Sequence, residues 1–341
     1  MKVEKASPEQ TVDLAVDIVL FRPSGSNLDG IDIKVTDDSV LLENAYPRPD
    51  LSSSTLDIVL HVKSGLNLQT FRTEVRHLGI ELSHDLQVSV ADIATLITTS
   101  GGIRSNMDER SFLASNWEVE SASGGIHGGW SQDNSLAVSS SSGTIDLTVF
   151  PQARSSEQDS KATNLNVHSS SGGVRVHFRT TGDIPDRVFH SDVQSHSGRI
   201  SGSFILGDYL RLKTTSGGIS GTILPLDASQ KSQIITDSAS GNTDVEVLPA
   251  HSDPDAPLRE HSGKHTGMSG GIRLRYPQSW EGSIRGSTMS GGLTLSGRDV
   301  HVESSGGGVV GHKIQAYKGN GEGQIQFESM SGSARVQVGI A

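Results

Sequence analysis

The chain has 341 residues, of which 33% are hydrophobic and 20% charged, and it contains 39 glycines and no cysteine. Its 28 basic and 39 acidic residues give a formal net charge of −11, which excludes the basic footprint that general nucleic-acid binding requires. Without cysteine, disulfide scaffolds, thiolate zinc sites and cysteine nucleophiles are excluded as well. A polar but periodic composition of this kind is typical of many short strands separated by turns.

Residues 1–95 show strand patterning in stretches such as "IDIKV", "TLDIVLHV" and "GIELSHDLQVSV". We expect them to form an N-terminal cap with degenerate β coils, and the alternative is a separate small β domain. Asp13 and Asp17 interrupt the only apolar stretch near the start, so no signal peptide is expected. No apolar run approaches the roughly 20 residues that a transmembrane helix needs.

Residues 96–341 repeat a corner motif in which Ser-Gly, usually Ser-Gly-Gly, precedes an aliphatic residue. The average spacing between its eleven copies is about 23 residues, as expected for a stacked coil whose loops vary in length. Taking the glycine after each serine, the predicted structural corners are Gly101, Gly124, Gly143, Gly172, Gly198, Gly217, Gly241, Gly270, Gly291, Gly306 and Gly332.

Apolar residues alternate on both sides of the motif, as in "LNV" before Gly172 and "VRV" after it, which indicates half-buried strands. Several units end at a proline seven or eight residues after the glycine, for example at Pro151 and Pro225. The unit therefore reads strand, corner, strand, turn. We predict an all-β fold, a single-stranded parallel β-solenoid (β-helix) with coils of roughly 20–25 residues, in one continuous domain.

The sequence stops within a strand pattern, "ARVQVGIA", in which Val336, Val338 and Ile340 still alternate with other residues. Solenoids need a capping element over their last apolar coil. We expect an earlier segment to fold over this end, and the alternative is end-to-end self-association with another molecule.

The repeated units, and the stretch "STLDIVLHVKSGLNLQTFRTEVRHLGIELSHDL" leading into "ITTSGGI", resemble the adhesin repeat family of unknown function found in bacteria and fungi, and its fungal members in particular. The resemblance implies a single-stranded parallel β-helix without catalytic residues. It also implies a cell-surface or secreted location. Fungal relatives often carry a transmembrane segment before the repeats, which this sequence lacks, so a cytoplasmic location stays open.

Acidic pairs are candidate catalytic carboxylates, because polysaccharide lyases and hydrolases also use β-helices. Each pair is interpreted as solvated surface charge, and a carbohydrate-active enzyme remains the alternative. The pairs are Glu118 with Glu120, Asp244 with Glu246, and Asp37 with Asp38.

Histidines and tryptophans give no clearer site. His261 and His265, like His168 and His177, lack the carboxylate or cysteine partners of a zinc site, so no metal and no cofactor are expected. Three tryptophans are candidates for sugar platforms or for filling corners, namely Trp117, Trp130 and Trp280.

The outward position after each corner is rich in basic residues for an acidic chain. It reads Arg104, His127, Asp146, Arg175, Ser201, Ser220, Glu246, Arg273, Thr294, Val310 and Arg335, with His177 and Arg275 at the next outward position. If the coils stack in register, one face carries a basic stripe suited to an anionic polymer or headgroup. The stripe comprises Arg104, His127, Arg175, His177, Arg273, Arg275 and Arg335.

These observations favour a non-enzymatic, adhesin-like scaffold or recognition β-solenoid that binds a glycan or other anionic polymer, or another protein, along one face. The basic residues have a second interpretation, as charges that keep the sheet surface from aggregating. A structural spacer that self-associates is the remaining alternative.

Overall fold

A computed structural model describes residues 1–21, 31–35, 40–44, 55–153, 162–180, 182–307 and 311–339. These ranges contain 29 strands and no helix, and so no helix that could cross a membrane. In chain order the strands are β1 (Lys2–Lys5), β2 (Leu14–Phe21), β3 (Ile31–Val35), β4 (Val40–Asn44), β5 (Thr55–Val62), β6 (Leu66–Val75), β7 (Ile80–Leu82), β8 (Val88–Thr98), β9 (Ile103–Ser105), β10 (Phe112–Ser121), β11 (Ile126–Gln132), β12 (Ser135–Ser140), β13 (Ile145–Pro151), β14 (Ala162–Ser169), β15 (Val174–Phe178), β16 (Val188–Ser195), β17 (Ile200–Leu206), β18 (Tyr209–Thr214), β19 (Ile219–Pro225), β20 (Ser232–Ser238), β21 (Thr243–Val247), β22 (His261–Gly267), β23 (Ile272–Tyr276), β24 (Gly282–Thr288), β25 (Leu293–Gly297), β26 (His301–Gly307), β27 (His312–Lys318), β28 (Gly323–Ser329) and β29 (Ala334–Val338).

The strands form two long sheets that share one core, plus the separate β3–β4 hairpin. In each coil, the strand before the corner belongs to one of these sheets, called sheet II, and the strand after the corner belongs to the other, called sheet I. Neighbouring coils pair in parallel, for example β14 with β16 and β15 with β17. The predicted all-β parallel solenoid is thus confirmed. Sheet I has the order β2-β5-β1-β7-β9-β11-β13-β15-β17-β19-β21-β23-β29-β25, and sheet II has the order β26-β27-β24-β28-β22-β20-β18-β16-β14-β12-β10-β8-β6.

The corner glycines form a column in which each one lies directly over a carbonyl group of the coil beneath. A Cβ atom added to Gly172 would overlap the carbonyl oxygen of Gly143, and one added to Gly198 would overlap that of Gly172. None of the stacked glycines has a positive φ, so glycine is required here by the close approach of the backbones and not by a left-handed conformation. In spatial order the column is Gly101, Gly124, Gly143, Gly172, Gly198, Gly217, Gly241, Gly270, Gly332 and Gly291.

In eight of the ten stacked corners, a buried hydroxyl three residues before the glycine accepts a hydrogen bond from it, and several of these hydroxyls also donate to the neighbouring coil. Gly198 N donates to Ser195 Oγ at 2.8 Å, and Ser195 Oγ donates to Gly172 O at 3.1 Å. The motif serines, such as Ser171, are exposed, so the hydroxyl that bonds the turned backbone is the one three residues before the glycine and not that of the motif serine. The hydroxyls that accept from a corner glycine in this way belong to Thr98, Ser121, Ser140, Ser169, Ser195, Thr214, Ser238 and Ser329.

Gly306 differs from the other predicted corners. It lies in β26, which pairs antiparallel with β27, and a Cβ added to it would meet no atom within 4 Å. The prediction of a stacked corner at this glycine is therefore wrong. The β26–β27 hairpin extends sheet II beyond β24 instead.

The last coil lies inside the stack and not at its end. β28 pairs with both β22 and β24, and β29 pairs with both β23 and β25. The coil made last in the chain is thus inserted between two earlier ones, which neither of the two predicted capping arrangements anticipated. Val336 and Val338 are fully buried there, and Ile340 lies outside the described residues.

At the opposite end, β6 and β7 form a coil whose corner lacks the Ser-Gly motif, and Gly101 stacks on its Leu78 carbonyl. Sheet I continues through β1 and β5 to an antiparallel edge strand, β2. The pairing of β8 with β6 and β10 runs across position 95 without a break.

We expect Gly172→Ala to lower the free energy of unfolding by about 3 kcal/mol, because neither the new Cβ nor the carbonyl beneath it can move without disturbing a ladder strand. Gly173→Ala is the matched control in the same corner, since its Cβ would lie 3.6 Å from the Arg199 carbonyl oxygen, an ordinary contact. Urea denaturation followed by circular dichroism measures both variants. Equal midpoints for the two would contradict the stacking argument.

Candidate ligand-binding faces

All seven residues of the predicted basic stripe lie on the outer face of sheet I. Arg104, His127, Arg175, Arg273 and Arg335 share the first column after the corners. His177 and Arg275 lie in the next outward column. In spatial order the first column is Lys2, Glu81, Arg104, His127, Asp146, Arg175, Ser201, Ser220, Asp244, Arg273, Arg335 and Thr294.

Two positions of this column differ from the sequence reading. Asp244 occupies the place assigned to Glu246, because Thr243 takes the inward position that aliphatic residues fill in other coils. Insertion of the last coil brings Arg335 directly beside Arg273. Val310 lies outside the described residues.

Carboxylates from neighbouring coils compensate part of the stripe. Arg175 pairs with Asp146 at 3.1 Å, and Arg273 with Asp244 at 3.5 Å. Both arginine side chains are more than half exposed, so each pair contributes between about 0 and 1 kcal/mol. These carboxylates orient the guanidinium groups without removing them from solvent.

The three arginines Arg273, Arg275 and Arg335, here called the arginine trio, lie on two adjacent coils. Arg275 contacts Asp244 at 3.3 Å and Glu246 at 3.4 Å. Arg273 and Arg335 are in direct register, and Arg335 forms no ion pair within the described part of the chain. Like charges directly opposite each other on neighbouring strands are destabilising, so this pair leaves positive charge that an anion would relieve.

The two histidines of the stripe are held by local contacts. The His127 imidazole lies over the corner at Gly125, where a Cβ would collide with it. His177 Nδ1 and Ser203 Oγ form a hydrogen bond of 3.3 Å. Both histidines therefore lie along the face, beside the arginine positions.

A depression of about 220 Å³ opens on the outer face of sheet II. Its floor includes the small side chains Ala137 and Ser139, and Glu118 and Glu120 line one side. Asp192 lines the other side and accepts hydrogen bonds from its own neighbour Gln194, at 3.0 and 3.1 Å. The depression is acidic and smaller than the roughly 300 Å³ typical of small-molecule sites.

The remaining acidic and histidine pairs do not converge on a metal. His168 borders the sheet II depression, whereas His177 lies on the outer face of sheet I. Within the ranges that the structure describes, no group of three or more His, Asp or Glu side chains is placed to hold a metal ion. Asp37 and Asp38 lie outside those ranges.

The three tryptophans are core residues. Trp117 and Trp130 are buried and meet edge to face, with ring centroids 5.3 Å apart. Trp280 is also fully buried, and its Nε1 donates to the His261 carbonyl oxygen at 3.0 Å. They fill the solenoid interior and present no face on which a sugar could stack.

A buried polar network interrupts the aliphatic core near the C-terminal coils. His265 is fully buried, and its Nδ1 and Nε2 contact Thr236 Oγ1 at 2.8 Å and the Tyr276 hydroxyl at 2.9 Å. Burial lowers the pKa of His265 to about 3, and it raises the pKa of Tyr276. Gly263 leaves the room that the Tyr276 hydroxyl occupies.

His261 has contacts that resemble a hydroxyl–imidazole catalytic pair. Its Nδ1 contacts Ser232 Oγ, and its Nε2 contacts the Asp227 carbonyl oxygen at 3.1 Å. His261 and Ser232 are only 2% and 3% exposed, so a substrate has no access to the hydroxyl. Burial lowers the pKa of His261 as well, and we assign the pair to the core.

No family model, no curated protein and no solved structure matches the chain. The resemblance to the adhesin repeat family therefore stays a prediction from the motifs.

We expect the free energy of unfolding to fall as the pH drops from about 6.5 toward 3, because the unfolded chain protonates His265 in this range and the folded chain does not. Between pH 7.5 and 4.5 the loss from this residue is about 3 kcal/mol. His265→Gln retains a polar side chain that does not titrate, so its urea midpoint should fall less over the same interval. Parallel pH profiles for the two proteins would contradict this role.

Proposed function

We propose that the chain is a non-enzymatic recognition β-solenoid that binds an anionic polymer along the outer face of sheet I. The support lies in the regular face itself, where basic side chains share one column in register, in adjacent pairs at Arg104 with His127 and at Arg273 with Arg335, and singly at Arg175. Coils stack about 4.8 Å apart, so the face offers an extended line of contacts and not a single pocket.

The arginine trio is the observation that carries the proposal. Arg273 and Arg335 lie side by side without a carboxylate between them, and Arg275 adds a third guanidinium on the same patch. Guanidinium groups bind sulfate, phosphate and carboxylate through paired hydrogen bonds. An anionic group bridging Arg273 and Arg335 relieves their repulsion and gains charge-assisted hydrogen bonds at once.

The interleaved carboxylates determine which ligands suit this face. Asp146 is paired with Arg175, and Asp244 is paired with Arg273 and Arg275 within the trio. Both carboxylates repel a uniformly charged polyanion, so binding concentrates at Arg335 with its neighbour Arg273 and at Arg104, because Arg335 and Arg104 form no ion pair within the described residues. With a net charge of −11 on the whole chain, attraction is local and strongly dependent on salt.

The carbohydrate-active alternative has weaker support. Glu118 and Glu120 border the sheet II depression from one strand, and Asp192 on the other side lies three strands away, about 14 Å at 4.8 Å per strand. Glycoside hydrolysis uses two carboxylates on either side of the scissile bond, about 5–9.5 Å apart. Side-by-side carboxylates on one strand suit binding of hydroxyl or ammonium groups better than this reaction.

We expect the protein to be retained on a heparin column at about 0.1 M salt, where the Debye length is about 10 Å. The double variant Arg273→Glu, Arg335→Glu should lose this retention. The matched control is Lys264→Glu with Arg285→Glu, which changes the net charge equally on the outer face of sheet II. The control should elute close to the unmodified protein.

Failure of the unmodified protein to bind would overturn the proposal, and so would an equal loss in both double variants. Light scattering against concentration tests the spacer alternative. We expect a constant mass without ligand, whereas a mass that rises with concentration would favour a self-associating spacer.

A further inference from the structure

Three of the five methionines occupy the same place in their corners, directly before the motif serine. Met268 and Met289 belong to corners that are successive in the sequence. Gly306, whose motif does not stack, lies in the sequence between Met289 and Met330. Insertion of the last coil places Met330 between the other two. Met330 N donates to Gly267 O at 3.1 Å, and Met289 N donates to Ser329 O at 3.0 Å.

These residues form a methionine column (Met268, Met330 and Met289) on the outside of the corner. Their side chains are 54%, 48% and 53% exposed, so the core does not account for them. The preceding coil has Ala239 at this position, with Ser269 N donating to its carbonyl oxygen at 3.0 Å. The thioethers are thus confined to three consecutive coils near one end of the solenoid.

The spacing of the column allows its sulfur atoms to converge. Adjacent coils are about 4.8 Å apart, so the outer two methionines each lie one strand spacing from Met330. The methionine side chain is unbranched, with three rotatable bonds, and adapts readily to irregular surroundings. The outer side chains can therefore lean toward the central one and bring three thioethers around a single point.

Thioether sulfur is a soft, neutral ligand, and soft ligands select Cu(I) over hard divalent ions. The chain has no cysteine, so no thiolate competes for such an ion and the column is its softest group of donors. Histidine and carboxylate side chains do not converge on a metal site within the described residues, so the thioethers are the remaining candidate ligands. The contiguity of the column appears only once the coil order is known.

We propose that the methionine column binds one Cu(I) ion through its three thioether sulfurs. The site is independent of the arginine trio, which lies on the outer face of sheet I and not at the corner. Soft monovalent Ag(I) is the redox-inert probe of the same site.

The first experiment is an anaerobic competition in which the untagged full chain withdraws Cu(I) from its coloured bicinchoninate complex. We expect one equivalent to be withdrawn per chain. Met330→Leu removes the central ligand and should weaken binding at least tenfold. Met107→Leu is the matched control, because Met107 is 6% exposed and lies in the core, and it should leave binding unchanged.

The second experiment labels the methionine methyl groups with ¹³C and adds Ag(I). Three of the five methyl resonances should shift and saturate at one equivalent, while those of Met1 and Met107 stay in place. The proposal is overturned if Cu(I) is not withdrawn. It is equally overturned if a triple Met→Leu variant of the column binds as well as the unmodified chain, since histidines would then be the ligands.

Discussion

The whole architecture depends on one close approach, that of a glycine backbone to the carbonyl oxygen of the coil beneath it. Ten glycines repeat this contact in a single column, and at each of them a Cβ atom would overlap that oxygen. A buried hydroxyl such as Ser195 completes the corner by accepting from one coil and donating to the next. Because every coil is seated in the same way, side chains at equal distance from the corner fall into columns on both outer faces.

Sequence patterning predicted the features that are local to one unit. Alternating apolar residues around Gly172 and the prolines that end β13 and β19 reveal the strands, and the motif reveals the corners. The outward column of sheet I followed from the same register, apart from Asp244. Neither the motif nor the spacing shows which coils are neighbours, so the sequence could not reveal the contact between Arg273 and Arg335.

Other differences between the sequence predictions and the structure arise because one sequence pattern is compatible with two structural environments. Gly306 carries the motif but lies in an antiparallel hairpin, where no coil presses on it. His261 and His265 are polar, yet they occupy inward positions in the core, where they contact Ser232 and Thr236. The partners that make this burial tolerable come from a neighbouring coil and are invisible in a single unit.

The inserted last coil has a consequence for how the molecule is assembled during synthesis. Residues 282–297 leave the ribosome before residues 323–338, yet their permanent neighbour is the later segment. Residues 282–297 cannot take their native position until residues 323–338 have emerged. If β24 and β25 paired directly with β22 and β23, then β28 and β29 could not insert between them. Folding during synthesis can therefore proceed coil by coil only as far as residue 276. The residues after this point have to fold together once residues 323–338 are available.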